Sequence, residues 1–150
     1  MADTADSFAF DPGSADSYSF WTEVTLRFSD EDRMGHINNC AYSTFFEAVR
    51  VAYIDSFHQA GRIDTVLVNL NIDYRRETRF PGTIAVGARL GRAGNTSFSA
   101  GYGVFRDGEC LATCVATNVF FDVELRQATP PPEVTRTAML ALLDASTQAR

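Results

Sequence analysis

Residues 40–57 read CAYSTFFEAVRVAYIDSF, and this stretch predicts one long, buried helix. Apolar side chains recur at helical spacing on two adjacent sides of it. The first side carries Ala41, Phe45, Ala48 and Ala52, and the second carries Tyr42, Phe46, Val49 and Tyr53. So wide an apolar surface predicts burial on more than one flank, with the small alanines letting the helix approach a sheet closely.

Strand-like segments lie on both sides of this helix. Upstream, residues 21–28 read WTEVTLRF and alternate apolar with polar side chains, as a half-buried strand does. Downstream, four further segments are separated by turn signals and contain no second helix. They are residues 65–76, 83–92, 96–106 and 110–122, after a glycine-containing break at 59–62. We therefore predict an α+β fold, in which an antiparallel meander wraps around one long central helix, followed by a short helix at about 134–143.

Length and composition indicate a single domain. The chain has 150 residues, of which 45% are hydrophobic and 21% charged, enough for a core without disulfides or metal. Residues 1–19 carry four aspartates and no basic residue, so we expect a mobile acidic tail there. Residues 20–150 contain no linker or repeat, and we assign them to one domain.

Charge and cysteine content exclude several classes of protein. A net charge of −6 argues against the basic surface that nucleic acids require. The sequence contains no run of 18 apolar residues that would predict a membrane span, and we see no signal peptide in which basic residues precede an apolar stretch. The three cysteines lack the paired spacing of zinc or redox sites. We expect a cytoplasmic protein with no metal.

The polar segment at residues 30–39, DEDRMGHINN, lies between the first strand and the helix, and three interpretations compete for it. A calcium loop is excluded, because its fifth position is Met34 and its twelfth is Ala41, neither of which offers a side-chain oxygen. Capping and turn formation would explain Asp30 and Asn38. The third interpretation is catalytic: free N–H groups at the helix start stabilise a developing oxyanion, and a nearby carboxylate attacks or activates water.

The same residues resemble a known family. The pattern R-F-x-D-x-D-x-x-G-H-x-N-N-x-x-Y-x-x-F-F-E-x-x-R, residues 27–50, is similar to that of the hotdog-fold thioesterases of the 4-hydroxybenzoyl-CoA thioesterase and YbgC/FadM-like acyl-CoA thioesterase group. The resemblance extends more weakly through IDYRRETRFPG and VFFDVELRQATPPPE, so that it covers about residues 21–132. It implies the hotdog fold and hydrolysis of an acyl-CoA thioester to a free acid and CoA.

The resemblance also implies roles for individual residues. Asp32 matches the catalytic carboxylate, as nucleophile or general base. The N–H of Asn39 would polarise the thioester carbonyl, and Gly35 would allow the substrate a close approach, beside Asn38. His36 either steadies Asp32 and water or merely holds the bend. No cofactor is implied, since CoA arrives with the substrate, and the family forms homodimers or homotetramers.

Other candidates for substrate binding have alternative explanations. Tyr42 and Phe46 could line an acyl pocket or belong to the core. Arg89 and Arg92, at a strand end, could hold the nucleotide end of CoA or be solvated edge charges. Glu47 is better explained by an ion pair with Arg50 one helical turn on.

Two other functions remain open at this point. A non-hydrolytic acyl-binding module would keep the pocket without turnover. A hydratase or dehydratase is less well supported, because the Asp-x-Asn-Pro-x-His pattern of that hotdog branch is missing from residues 30–39.

Overall fold

The computed structural model describes residues 8–57 and 64–148. Its strands are β1 (Phe20–Thr25), β2 (Asp64–Tyr74), β3 (Thr83–Ala93), β4 (Ser97–Arg106), β5 (Glu109–Asp122) and the short β6 (Gln127–Ala128). Its α-helices are α1 (Asn39–Phe57) and α2 (Glu133–Gln148), and single 3-10 turns cover Ala15–Ser17 and Phe28–Asp30. The predicted elements are all present, although α2 is longer than expected. The predicted break at 59–62 lies outside the described residues.

The sheet is antiparallel, with the strand order β1-β3-β4-β5-β2 and β6 added to the end of β5. The predicted meander is confirmed for β3, β4 and β5 but is wrong for β2. That strand pairs with β5, from Asp64 opposite Phe121 to Tyr74 opposite Ala112, and β1 takes the place beside β3. Tight turns join β3 to β4 and β4 to β5, whereas eight residues separate β2 from β3 and let β2 cross to the far edge.

Helix α1 packs against one face of this curled sheet, as predicted. Its buried residues are Tyr42, Phe45, Phe46, Val49, Arg50, Tyr53, Ile54 and Phe57. On the predicted alanine side, Ala48 is exposed, whereas Phe45 is buried and Ala41 packs against the core. The rings fill most of the interior on both sides, since large rings remove far more apolar surface from water than alanines do.

The opposite face of the sheet is covered by residues 8–18, which differs from the mobile tail predicted for residues 1–19. The rings of Phe8 and Phe10 stack at 5.2 Å, and the Tyr18 ring is buried. Glycines on β3 and β4 make room for these rings: a Cβ at Gly87 would lie 2.5 Å from Tyr18 Cγ, and one at Gly101 would lie 2.8 Å from Phe10 Cζ. From the acidic composition we expected the entropy cost of ordering this segment to keep it mobile. These apolar contacts offset that cost for residues 8–18. Residues 1–7 lie outside the described part.

Among the described residues, no helix is both long and apolar enough to cross a membrane.

Candidate active site

The loop before α1 is organised around the carboxylate of Asp32. Its Oδ1 accepts hydrogen bonds from the N–H groups of Met34 at 2.8 Å and His36 at 3.1 Å. Its own N–H donates to the His36 carbonyl at 2.7 Å. Gly35 adopts φ +76°, a left-handed conformation that glycine tolerates and that closes this turn. Asp32 is therefore held in one orientation, and its Oδ2 has no hydrogen bond to any described residue.

The start of α1 leaves one amide group without an acceptor among the described residues. Asn38 caps the helix, because its Oδ1 accepts from the Cys40 N–H at 2.9 Å and its carbonyl accepts from the Ala41 N–H at 2.9 Å. The Asn39 N–H finds no acceptor within the described ranges. The capping explanation of Asn38 is thus confirmed, and the next amide keeps the partial positive charge of a helix N-terminus.

These groups line one cavity of about 280 Å³. Its walls are formed by Asp32, His36, Ile37, Asn39, Tyr42, Tyr74, Arg75, Arg76 and Glu77. The structure therefore brings four predicted site residues together and adds four polar residues from the end of β2 and the segment after it. Sequence reasoning missed these four as site residues, although the polar run YRRE directly after an alternating strand was a visible signal.

Two tyrosines form the aromatic part of the cavity wall. The rings of Tyr42 and Tyr74 meet edge to face at 5.5 Å, and the Tyr74 hydroxyl donates to the Asn39 carbonyl at 3.0 Å. Burial raises the pKa of both phenols above the ordinary value. Both phenols therefore stay protonated at neutral pH, and that of Tyr74 acts as a hydrogen-bond donor.

His36 lies between two oppositely charged side chains. Its Nε2 is 3.1 Å from Glu77 Oε2 and 2.9 Å from Arg79 Nη2. Its backbone N–H and carbonyl both bond to Asp32, as described above. His36 thus contacts the candidate carboxylate through its main chain and the cavity wall through its ring.

Asp30, two residues before Asp32, has a structural position. Its carboxylate accepts from the Arg27 N–H at 2.8 Å and from Arg27 Nη2 at 2.7 Å, and the residue is buried. The hydrogen bond from the Arg27 side chain holds the pKa of this carboxyl below its usual range. Capping therefore explains Asp30.

The remaining predicted residues lie elsewhere. Phe46 is fully buried in the core, 6.3 Å from the Tyr102 ring, and Gly35 shapes the loop without lining the cavity. Arg89 donates to the Ser17 carbonyl at 2.9 Å and lies over the Phe10 ring, on the face that the N-terminal segment covers. Arg92 is exposed on β3 and is absent from the cavity wall.

The other candidate groups carry no visible chemistry. The predicted ion pair between Glu47 and Arg50 is present at 3.7 Å. Burial raises the pKa of the Cys114 thiol to about 12, so this thiol stays protonated. Within the described ranges, no group of three or more histidine, cysteine, aspartate or glutamate side chains could hold a metal ion.

Comparison with known proteins places these features in a family. The model of the Thioesterase-like superfamily matches residues 26–139. The YsmA protein of Bacillus subtilis strain 168 is 28% identical over 89 residues, which are 57% of this chain and 60% of that protein. The chain thus matches less than two thirds of that relative's length.

Two solved structures share the fold over most of their length. One is described as a predicted thioesterase from Bacillus stearothermophilus, with a TM-score of 0.76, 26% identity, and coverage of 82% of this chain and 95% of that one. The other is a thioesterase from Thermus thermophilus complexed with coenzyme A and zinc, with a TM-score of 0.75, 25% identity, and coverage of 84% and 95%. The chain therefore belongs to the thioesterase-like superfamily and has the hotdog fold.

Proposed function

We propose that this protein hydrolyses acyl-CoA thioesters to a free acid and CoA. One observation carries the proposal: Asp32 and Asn39, whose main-chain N–H has no acceptor among the described residues, both belong to the wall of one cavity. A carboxylate and an oxyanion donor at the same carbonyl are what acyl transfer to water requires. Membership of the thioesterase-like superfamily supports the same chemistry.

In the proposed mechanism the Asn39 N–H binds the thioester carbonyl oxygen as negative charge develops on it. Asp32 Oδ2 either removes a proton from water, which adds to the carbonyl carbon, or attacks that carbon directly to form an anhydride that water then opens. In both routes the C–S bond breaks, and the CoA thiolate leaves and takes up a proton. In the general-base route the water oxygen ends in the product acid. In the anhydride route it ends either in the product acid or in the Asp32 carboxylate. A single turnover in oxygen-18 water that labels Asp32 identifies the nucleophilic route, because the general-base route never transfers the label to Asp32.

Two arginines in the cavity wall support a CoA substrate. Arg75 and Arg76 line the cavity, and both are exposed. Their planar guanidinium groups suit phosphate oxygens. We propose that they meet the phosphates of CoA, a role that the sequence analysis gave to Arg89 and Arg92. The proposed mechanism needs no separate cofactor, because CoA is part of the substrate, and its steps use a carboxylate and an amide rather than a metal ion.

We also propose that the protein works as a homodimer or homotetramer. Strand β2 is an edge strand, with β5 on one side only, and it exposes Val66, Leu67 and Val68. An exposed apolar edge strand favours pairing with a second copy. The free cysteines suit a reducing compartment, and we therefore propose a cytoplasmic location.

A second candidate is a non-hydrolytic acyl-binding module. The hydrogen bonds from Met34 and His36 to Asp32 Oδ1 favour it, because they are what a purely structural aspartate would make. The cavity beside Asp32 favours the enzyme, because an aspartate that only stabilises its own loop needs no cavity next to it.

The deciding experiment is a panel of aliphatic and aromatic acyl-CoA thioesters assayed for free thiol, with and without EDTA. Hydrolysis that EDTA does not affect supports the proposed enzyme. Saturable binding of acyl-CoA without thiol release would establish the binding module instead. Wild-type protein that neither binds nor hydrolyses any member of the panel refutes both proposals.

A further inference from the structure

Arg75, one of the two arginines in the cavity wall, also lies against the N-terminal segment, residues 8–18, which covers the opposite face of the sheet. A Cβ built on Gly13 would lie 2.6 Å from Arg75 Nη1 and 3.1 Å from Arg75 Cζ. The guanidinium thus occupies space that any larger residue at position 13 would need. This contact joins the cavity to a part of the chain that is distant in sequence.

The turn that carries Gly13 is held in place on both sides. Residues 11–14 read DPGS, which are typical turn residues. The N–H of the last residue donates to the carbonyl of the first at 3.1 Å, and the Gly13 N–H donates to Asp11 Oδ1 at 2.8 Å. The Pro12 carbonyl accepts from the hydroxyl of the buried Tyr18 at 2.7 Å. The turn is therefore tied to a ring that anchors the N-terminal segment on the sheet.

Backbone conformation does not explain why position 13 is a glycine. Gly13 is not among the glycines that have a positive φ in the described part of the chain, so an alanine could adopt its backbone conformation. Asp11 Oδ1 would lie 3.2 Å from a Cβ there, a distance that a small shift relieves. The closest neighbour of that Cβ would be the Arg75 guanidinium, and the missing side chain makes room for it.

The two arginines of the cavity wall differ in their other partners. The N–H groups of Arg75 and Arg76 both donate to the Leu111 carbonyl, at 2.9 and 3.0 Å, which is typical of a β-bulge that re-aims side chains. Arg76 Nη1 lies 3.5 Å from Glu109 Oε1. No carboxylate of a described residue lies within ion-pair distance of Arg75. The charge of Arg75 is therefore available to an anion at the cavity.

Contact with a fixed turn strengthens the binding of an anion by Arg75. A guanidinium on a long side chain loses rotamer freedom when it binds an anion. The turn at residues 11–14 restricts the guanidinium before the anion arrives, so less freedom is lost on binding. The turn can thus contribute to affinity without touching the anion.

We propose that the turn at residues 11–14 is a positioning element for acyl-CoA binding. Gly13 leaves the space in which the Arg75 guanidinium is held at the cavity, where it meets a phosphate of CoA. This inference rests on the proposed function, which gives Arg75 that phosphate. The N-terminal segment thereby becomes part of the substrate-binding apparatus, acting through Arg75.

CoA binding, measured by isothermal titration calorimetry, tests the proposal without any need for turnover. Gly13→Ala should weaken CoA binding by roughly fivefold, because the added methyl group displaces the guanidinium, and Arg75→Met by roughly tenfold. The Tm of both should stay within about 2 °C of wild type, since the group displaced or removed is the end of an exposed, flexible side chain. Ser14→Ala, the matched control, adds no atom and removes a hydroxyl that makes no capping bond, so CoA binding should change by less than about twofold.

Two further comparisons assign the effect to Arg75 and to phosphate. In the Arg75→Met background, Gly13→Ala should weaken CoA binding by less than about twofold, because the group that it displaces is gone. With an acyl-CoA substrate, Gly13→Ala should raise KM roughly fivefold at unchanged kcat. With the matching acyl-pantetheine thioester, which has no phosphate, both constants should stay within about twofold of wild type.

Gly13→Ala protein that binds CoA as tightly as wild type would overturn the inference, and so would equal weakening by Gly13→Ala with and without Arg75. An equal rise in KM for acyl-pantetheine would also overturn it, because that substrate offers no phosphate. Wild-type protein that binds CoA but hydrolyses no thioester would refute the proposed hydrolysis alone, and calorimetry would still decide the role of Gly13. Wild-type protein that binds no CoA would overturn both.

Discussion

Asp30 and Asp32 lie two residues apart in one loop, and the structure predicts opposite results for Asp30→Asn and Asp32→Asn. An asparagine at position 32 still offers an Oδ1 to the N–H groups of Met34 and His36, so the loop keeps its shape. What it removes is the negative charge beside the cavity. Asp32→Asn should therefore lose activity and keep most of its stability.

The expected magnitudes follow from these contacts. Hydrogen bonds to a charged acceptor exceed neutral ones by about 1 kcal/mol, and the loop is partly exposed, so Asp32→Asn should lower the free energy of unfolding by about 1 kcal/mol. That corresponds to a Tm about 2–4 °C lower. Its kcat should fall by roughly 10²- to 10⁴-fold, which is about 2.7–5.4 kcal/mol of transition-state stabilisation.

Asp30→Asn should show the reverse. The Asp30 carboxylate is buried and holds both the N–H and the guanidinium of Arg27, so the substitution replaces two charge-assisted bonds. We expect a loss of about 2–3 kcal/mol of stability, with kcat within about threefold of wild type below the Tm.

The assay pairs thermal unfolding with free-thiol release from the best substrate of the acyl-CoA panel. Folded Asp32→Asn protein with wild-type turnover would refute the catalytic assignment of Asp32. Equal losses of turnover in both variants, at equal folded fractions, would show that activity depends on the whole loop and not on the Asp32 carboxylate in particular.

Three further predictions test other parts of the molecule. Because the pKa of Asp30 is depressed by Arg27, this carboxylate stabilises the fold above its unfolded pKa of about 3.9, and the contribution should be lost as pH falls through the lower folded pKa; acid unfolding of Asp30→Asn should lack this dependence, and an identical acid limb would contradict it. Gly87→Ala should lower the free energy of unfolding by about 1–3 kcal/mol in urea, since its Cβ would lie 2.5 Å from Tyr18 Cγ. An unchanged urea midpoint would show that the Tyr18 ring can move aside at no cost. Val68→Lys on the edge strand β2 should shift the protein toward monomer in sedimentation analysis, and an unaltered oligomer would place the interface elsewhere.

The sequence by itself determined the elements and the position of the loop that carries Asp32. The helix at 39–57, the hairpins among β3, β4 and β5, and the turn around Asp32 all depend on local spacing, capping and turn residues. These signals act over a few residues, so they can be recognised from the order of the residues alone. The same is true of Asn38, whose capping role follows from its place directly before the helix.

Only the tertiary structure decided which distant residues meet. Alternation tells which face of a strand is apolar but not which strand lies beside it, and so β2 was expected next to β3 rather than β5. The contacts of Glu77 and Arg79 with His36 join residues about 40 positions apart, through one backbone bond at Thr78. The glycines of β3 and β4 become intelligible only with the N-terminal rings seated on them, because the space that a missing Cβ leaves is defined by what fills it.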